Sequence, residues 1–159
     1  MRWWRVLLTL VVLLLLETTL VPWLELEGCR PNLFLIFAVW CALEWPLERS
    51  YWPCWLAGLT RDLFSGGSSI GAYAALYLLL ALLLGRIRRA LFVEHILTQV
   101  LVVGAASLAT EGLWLLVWFH PPVADPSALL WRLGGGTLYT VVVTPLVLGL
   151  LWCLGWRWR

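Results

Sequence analysis

The chain has 159 residues, of which 62% are apolar and only 13% are charged, and its mean hydropathy is +0.89. Water-soluble domains carry about 25% charged residues, so this composition excludes that class and predicts an integral membrane protein. The formal net charge of +2 is too small, and the basic runs are too short, for a nucleic-acid-binding surface.

The first predicted span is the apolar run of residues 6–23, which is long enough to cross a hydrocarbon core of about 30 Å. Arg2 and Arg5 precede it, and acidic residues follow it where a signal peptide would have a small-residue cleavage site. We therefore interpret it as an uncleaved anchor that starts in the cytoplasm. Glu17 lies inside this span and needs a partner, because a charge at membrane depth is expensive.

The second predicted span, residues 32–47, is short and is broken near its end by Pro46, so residues 48–50 are expected on the cytoplasmic side. Residues 51–85 then provide 35 residues for two crossings and a turn, whereas two ordinary spans alone need about 40. We expect a short hairpin whose tip, residues 65–69, lies below the outer surface.

The hairpin contains a glycine and aspartate pattern. Gly58, Asp62 and Gly66 recur at every fourth residue and therefore share one helical stripe. Small residues allow a second helix to approach closely, and Asp62 would place one carboxylate in that contact. Gly67 and Gly71 belong to the turn and to the start of the returning helix. A phosphate-binding loop would end in Gly-Lys-Ser/Thr, which is missing here, so we assign these glycines to backbone bending and packing.

Two further long spans are predicted at residues 91–119 and 128–156, separated by a proline-rich outer turn. The sequence thus offers two small-residue faces, at residues 71–75 and 104–112. We expect one to pack inside the protein and the other to receive a partner helix, and we favour the second face for the partner. Its residues fall at helical spacing: Gly104, Ala105, Leu108, Ala109 and Gly112.

The arginines predict the topology. With six spans and both termini inside, Arg30 is the single arginine in an outer loop, and eight lie on the cytoplasmic side: Arg2, Arg5, Arg49, Arg86, Arg88, Arg89, Arg157 and Arg159. The remaining two lie towards the outer half of the membrane with three carboxylates. We expect these five residues to form a paired intramembrane network, either as internal support or as a site for a ligand or partner: Glu17, Arg61, Asp62, Glu111 and Arg132.

The sequence does not predict an enzyme. His95 and His120 stand apart from any serine and acid that would complete a catalytic set. The four cysteines are widely spaced and form no metal-ligand motif or disulfide framework. We therefore expect no metal, no cofactor and no catalytic residue.

The stretch Gly58-Leu-Thr-Arg-Asp-Leu-Phe-Ser-Gly-Gly, continuing to Gly71, resembles the rod shape-determining protein MreD family, whose members carry a similar Gly-x-x-x-Asp-Leu-x-Ser-Gly-Gly stretch. The resemblance implies one transmembrane domain over residues 1–159, in the bacterial inner membrane, that supports peptidoglycan synthesis during cell elongation. It implies direct binding to the bitopic protein MreC. Through MreC it implies links to a penicillin-binding transpeptidase, to RodA and to MreB.

A competing hypothesis follows from the same resemblance, because the family is similar in fold to the six-helix substrate-binding subunits of energy-coupling-factor vitamin transporters. Those subunits dock their transporter partner through an Ala-x-x-x-Ala stripe on the first helix. Residues 6–16 contain no alanine or glycine, which disfavours that function here. A small intramembrane enzyme acting on lipids is a more distant hypothesis, since it would need a convergent nucleophile, base or metal set.

Overall fold

This computed structural model describes residues 3–19, 21–24, 29–64, 71–88, 95–118 and 126–153. Within those ranges the chain forms six α-helices and one 3-10 turn, and it contains no β-strand. The helices are α1 (Trp3–Thr19), α2 (Leu33–Glu44), α3 (Leu47–Phe64), α4 (Ala72–Ile87), α5 (Ile96–Trp118) and α6 (Pro126–Cys153), and the 3-10 turn is Val21–Leu24.

The helices are those of a membrane protein. In the described part of the chain, three segments are long and apolar enough to cross a bilayer: Trp4–Trp23, Ile96–Leu113 and Leu133–Cys153. No more than a third of each of these windows is buried inside the protein, so large apolar side chains such as Leu101 and Leu146 remain exposed. A large exposed apolar surface is unfavourable in water, whereas contact with lipid carries no such penalty. α2 and α4 are shorter apolar helices.

α2 is the centre of the bundle. Every residue from Leu33 to Leu43 is buried, and α2 packs against all five other helices. A helix that is apolar on all sides can lie in a protein interior or face lipid, and the burial of α2 places it in the interior. α2 is the core around which the other helices are arranged.

The end of α1 differs from the expected span. The helix stops at Thr19, and a 3-10 turn containing Pro22 follows in place of a continuous helix to residue 23. Proline has no N–H and restricts the residue before it, so the helix cannot continue through this position. The Thr18 hydroxyl donates to the Leu14 carbonyl at 2.9 Å, which satisfies part of the last turn.

The boundary between the second span and the hairpin differs from the expected one, because α2 ends at Glu44 and α3 already begins at Leu47. Trp45 has the extended backbone that a residue before proline prefers, and α2 ends there. The Pro46 carbonyl then accepts the Arg49 and Ser50 N–H groups at 2.9 and 3.2 Å, which opens the next helix at once. The hairpin therefore has longer arms than the sequence suggested.

α3 and α4 form the closest helix pair. A Cβ added at Gly58 would overlap the Ala74 Cα and would lie 2.6 Å from the Tyr73 carbonyl oxygen. At the other end of the pair, a Cβ at Gly85 would meet the Leu47 side chain. The two helices are thus antiparallel, with the start of α3 beside the end of α4. Their connecting tip, which includes Gly66 and Gly67, lies outside the described residues.

α6 is a continuous helix, although its sequence contains three consecutive glycines and Pro145. Hydroxyls of Thr137, Thr140 and Thr144 donate to the carbonyls four residues earlier at 2.7–2.8 Å. These bonds keep the threonine hydroxyls satisfied in an apolar environment. α6 packs mainly against α5, and Gly104 of α5 is close to the Val141 side chain of α6.

Candidate functional site

A cluster of polar side chains lies at one end of the bundle, where α1 and α3 end and α2 and α4 begin. It draws on all six helices, although most of their neighbouring residues are apolar. We call it the polar cluster, and its members are Glu17, Asn32, Arg61, Asp62, Tyr73, Tyr77, Glu111 and Thr140.

Arg61 is the central cation of the polar cluster. Its Nη1 lies 3.0 Å from Glu17 Oε1, and its Nη2 lies 3.8 Å from Glu111 Oε1. The side chains of Arg61, Glu17 and Glu111 are 19%, 20% and 30% exposed, so both ion pairs are partly buried. The guanidinium also stacks over the Tyr73 ring at 4.9 Å from its centroid. Arg61 therefore ties α3 to α1, α4 and α5.

The ion pairs do not use every polar atom of these side chains. Among the described residues, the buried Glu17 Oε2 and Arg61 Nε have no hydrogen-bond partner. Buried polar atoms are normally satisfied, because leaving one without a hydrogen bond costs about 1–3 kcal/mol. The cluster thus retains hydrogen-bonding capacity beyond its internal pairs.

Asp62 holds the start of α4. Its Oδ2 accepts the Gly71 and Ala74 N–H groups, both at 3.0 Å, and its Oδ1 accepts the Tyr73 N–H at 3.1 Å. The N-cap residue Gly71 has no side chain to perform this role, and its φ of 102° is readily adopted only by glycine. A buried carboxylate from α3 therefore caps α4, where free N–H groups and the helix dipole favour negative charge.

Asn32 performs a similar function for α2. Its Oδ1 accepts the Leu35 N–H and the Tyr77 hydroxyl, each at 3.0 Å. Its backbone N–H donates to Thr140 Oγ1 at 3.2 Å, which joins α2 to α6. The Asn32 Nδ2 is buried and has no partner among the described residues. Asn32 thus links α2, α4 and α6.

The polar cluster is a set of helix caps and ion pairs. Its one aliphatic hydroxyl, Thr140 Oγ1, donates to the Gly136 carbonyl and accepts from the backbone of Asn32. A hydroxyl held in this way is not activated by a neighbouring base. No group of three His, Cys, Asp or Glu residues that could hold a metal ion occurs in the described part of the chain.

The comparison with protein families decides the identity of the chain. The family model for the rod shape-determining protein MreD matches residues 1–123. The chain belongs to the MreD family. The matched residues contain α1 to α5 and every member of the polar cluster except Thr140. Comparisons with curated proteins and with solved structures gave no match.

Membership of the MreD family assigns the protein a role in rod shape determination and places it in a membrane. The Gly58 to Gly71 stretch that carries the resemblance now has a physical explanation at three positions. Gly58 permits the approach of α3 to α4, Asp62 caps α4, and Gly71 adopts the conformation that this cap requires.

The structure brings together Glu17, Arg61, Asp62 and Glu111 at one level of this MreD-family bundle. The Arg132 side chain lies outside the described part, as do Gly66 and Gly67. Sequence reasoning missed four members of the polar cluster: Asn32, Tyr73, Tyr77 and Thr140. Asn32 had a usable signal, because an asparagine directly before an apolar run is a common helix N-cap.

The candidate partner face on α5 lies mostly at the surface. Ala105 and Ala109 are exposed, Leu108 is 52% exposed, and a Cβ added at Gly112 would meet nothing within 4 Å. Gly104 differs, because its added Cβ would lie 3.0 Å from the Val141 side chain. Four of the five residues are therefore accessible to another molecule, and Gly104 contributes to packing against α6.

Proposed function

We propose that this MreD-family protein is a non-catalytic scaffold of the cell-elongation machinery that binds the transmembrane helix of MreC. In this proposal it lies in the bacterial inner membrane with both termini in the cytoplasm. MreC would connect it to a penicillin-binding transpeptidase, to RodA and to MreB. The family supports the role in cell shape, and the partner and the mode of binding are our inference.

The observation that carries the proposal is the different use of the two small-residue faces. Ala72 and Ala74 at the start of α4 are buried, and Gly58 of α3 packs on the backbone there. Ala105 and Ala109 on α5 remain exposed. Association of helices in lipid depends on close packing at small residues, so the α5 face is suited to a partner helix.

The polar cluster supports this function indirectly. Arg61 pairs with carboxylates on α1 and α5, and Asn32 connects the core helix α2 to α4 and α6. These contacts fix the relative positions of the helices, including the α5 helix that carries the proposed face. A scaffold requires that rigidity, because a partner helix binds tightly only to a surface with a defined shape.

Co-purification of MreC in mild detergent tests the proposal with the variants Ala105→Leu and Ala109→Leu. A leucine at either position would stand in the path of an approaching helix, and overpacking of a close contact costs about 1–3 kcal/mol. We expect the MreC yield to fall several-fold in each variant while the protein itself accumulates normally. Gly104→Leu is less suitable, because it would also disturb the contact with Val141.

Ala75→Leu is the matched control, since it makes the same change at an exposed position on α4. It should retain MreC at the yield of the unmodified protein. Normal co-purification with both α5 variants would refute the α5 face. A loss confined to Ala75→Leu would move the docking surface to α4, and recovery of a transporter ATPase module in place of MreC would favour the transporter function.

A further inference from the structure

A groove of about 530 Å³ lies between α3 and α4, and none of its lining residues belongs to the polar cluster or to the α5 face. It is lined by Tyr51, Trp52 and Trp55 of α3 and by Leu78 and Leu82 of α4. The two indole rings are nearly perpendicular, with centroids 6.0 Å apart, and Trp52 is 57% exposed. We call it the aromatic groove, and almost all of its lining surface is apolar.

One end of the aromatic groove is charged. Leu78, Leu82 and Arg86 follow each other at intervals of four residues on α4, so Arg86 lies one turn beyond the groove on the same helical face. The start of α3 is beside this point, because Leu47 contacts Gly85. It brings the exposed side chains of Glu48 and Arg49 to the same end.

Arg86 differs from the neighbouring arginine on α4. The Arg88 guanidinium donates to the Trp45 carbonyl at the end of α2 and is only half-exposed. Arg86 is exposed, and together with Arg49 and Glu48 it gives this end a net charge of +1. The apolar groove therefore leads to a positively charged mouth.

We propose that the aromatic groove binds an anionic phospholipid, with an acyl chain along the indole rings and leucines and the phosphate at Arg86. A guanidinium is well suited to phosphate, because it can donate two parallel hydrogen bonds. Tryptophan and tyrosine rings favour the region of the lipid headgroups, which places the mouth at the correct depth for a phosphate.

The lining also argues for a lipid over a partner helix. Helix contacts in membranes are rich in Gly, Ala and Ser, which let the backbones approach closely. The five lining residues are all large, and none belongs to that class. A flexible acyl chain can fill the space between bulky rings, whereas a helix would be held away from the surface by them.

Native mass spectrometry of the whole protein in detergent tests the proposal by titration with phosphatidylglycerol or with phosphatidylcholine of the same acyl chains. We expect phosphatidylglycerol to bind at least fivefold more tightly, since one basic residue near an anionic lipid is worth about 1 kcal/mol. Arg86→Gln should remove this preference. Leu82→Trp, which fills the groove, should weaken the binding of both lipids.

Two substitutions serve as controls. Arg5→Gln makes the same charge change on α1, and Leu146→Trp enlarges a side chain on α6 that is 74% exposed. Both should bind the two lipids as the unmodified protein does. Equal affinity for the two lipids in the unmodified protein would overturn the proposal, as would equal effects of Arg86→Gln and Arg5→Gln. Loss of MreC with Leu82→Trp, without any lipid preference, would assign the groove to a helix.

Discussion

At the scale of single residues, Asp62 shows how a buried charge is compensated. Asp62 is 4% exposed, and its carboxylate accepts three N–H groups from the beginning of α4. Each of those N–H groups would otherwise lack an acceptor, because the first turn of a helix has no internal partners. The carboxylate and the N–H groups of the helix end therefore satisfy each other, and burying the two together costs less free energy than burying either one alone.

Asp62→Ala should destabilise the hairpin. The substitution leaves three N–H groups of α4 without their acceptor, and we expect a loss of about 3 kcal/mol in the free energy of unfolding. Asp62→Asn keeps one carbonyl oxygen and should fall between alanine and the natural residue. Thermal unfolding of the purified protein in detergent measures these differences.

Glu48→Ala is the control for Asp62→Ala, because Glu48 is exposed in the first turn of α3. Surface substitutions of this kind usually change stability by no more than about 0.5 kcal/mol. Equal melting temperatures for Asp62→Ala and Glu48→Ala would contradict the capping role.

The sequence predicted that Asp62 would stand in a close helix contact, and the reason is local. The spacing of Gly58 and Asp62 defines a stripe, and a stripe of this kind is visible in any helical sequence. The acceptor role was not predictable in the same way. It depends on where the N–H groups of Gly71, Tyr73 and Ala74 lie relative to the Asp62 carboxylate in three dimensions, which the spacing of residues along the chain does not define.

At the scale of helices, Gly58 sets the distance between α3 and α4. Even the smallest added side-chain atom would overlap the backbone at Tyr73 and Ala74, which cannot withdraw as the tip of a side chain can. The position must remain glycine for Asp62 to reach the first turn of α4. The capping of α4 by Asp62 therefore depends on the close packing at Gly58.

Gly58→Ala should destabilise the protein by about 1–3 kcal/mol, because it overpacks a contact between backbones. Gly149→Ala is the matched control in α6, where an added Cβ meets nothing within 4 Å. Alanine is the better helix former by about 1 kcal/mol, so this variant should be neutral or stabilised. Thermal unfolding of both variants separates the effects, and a stabilised Gly58→Ala would refute the close approach.

Helix boundaries followed the sequence where proline, asparagine or glycine marked them. The start of α2 after Asn32, its end before Pro46 and the start of α4 after Gly71 all agree with such signals. The start of α3 did not, because the sequence placed Glu48 and Arg49 between two spans. An acidic residue in the first turn is favourable for a helix, so the same charges fit the helix start that the structure shows.

At the scale of the whole molecule, hydropathy alone could not identify the core. α2 and α5 are both strongly apolar, yet α2 is buried from Leu33 to Leu43 and α5 exposes Leu97 and Leu101. Lipid and protein interior are equally apolar, so the sequence does not distinguish a side chain that faces one from a side chain that faces the other. Charged residues remove this ambiguity, because a charged group must face the protein and not the lipid.

Arg61 tests whether charged contacts fix the arrangement of the helices in the whole bundle. It lies between Glu17 of α1 and Glu111 of α5, so it both neutralises two carboxylates and joins three helices. Arg61→Gln leaves the two carboxylates facing each other in a sheltered site. Removal of one partner from such a site is strongly destabilising, and we expect a loss of about 3 kcal/mol.

The triple variant Glu17→Gln, Arg61→Gln and Glu111→Gln distinguishes an electrostatic role from simple packing. It shares the shorter side chain at position 61 with Arg61→Gln and keeps the size of the two glutamates, but it removes all three charges, so no carboxylate is left without its cation. Replacement of a whole buried ion-pair set is often nearly neutral, and the triple variant should therefore be more stable than Arg61→Gln alone. Arg49→Gln, at an exposed position of α3, controls for the loss of one positive charge. Unfolding in detergent gives all three values. The electrostatic role is refuted if Arg61→Gln and Arg49→Gln have the same melting temperature. It is also refuted if the triple variant has a lower melting temperature than Arg61→Gln.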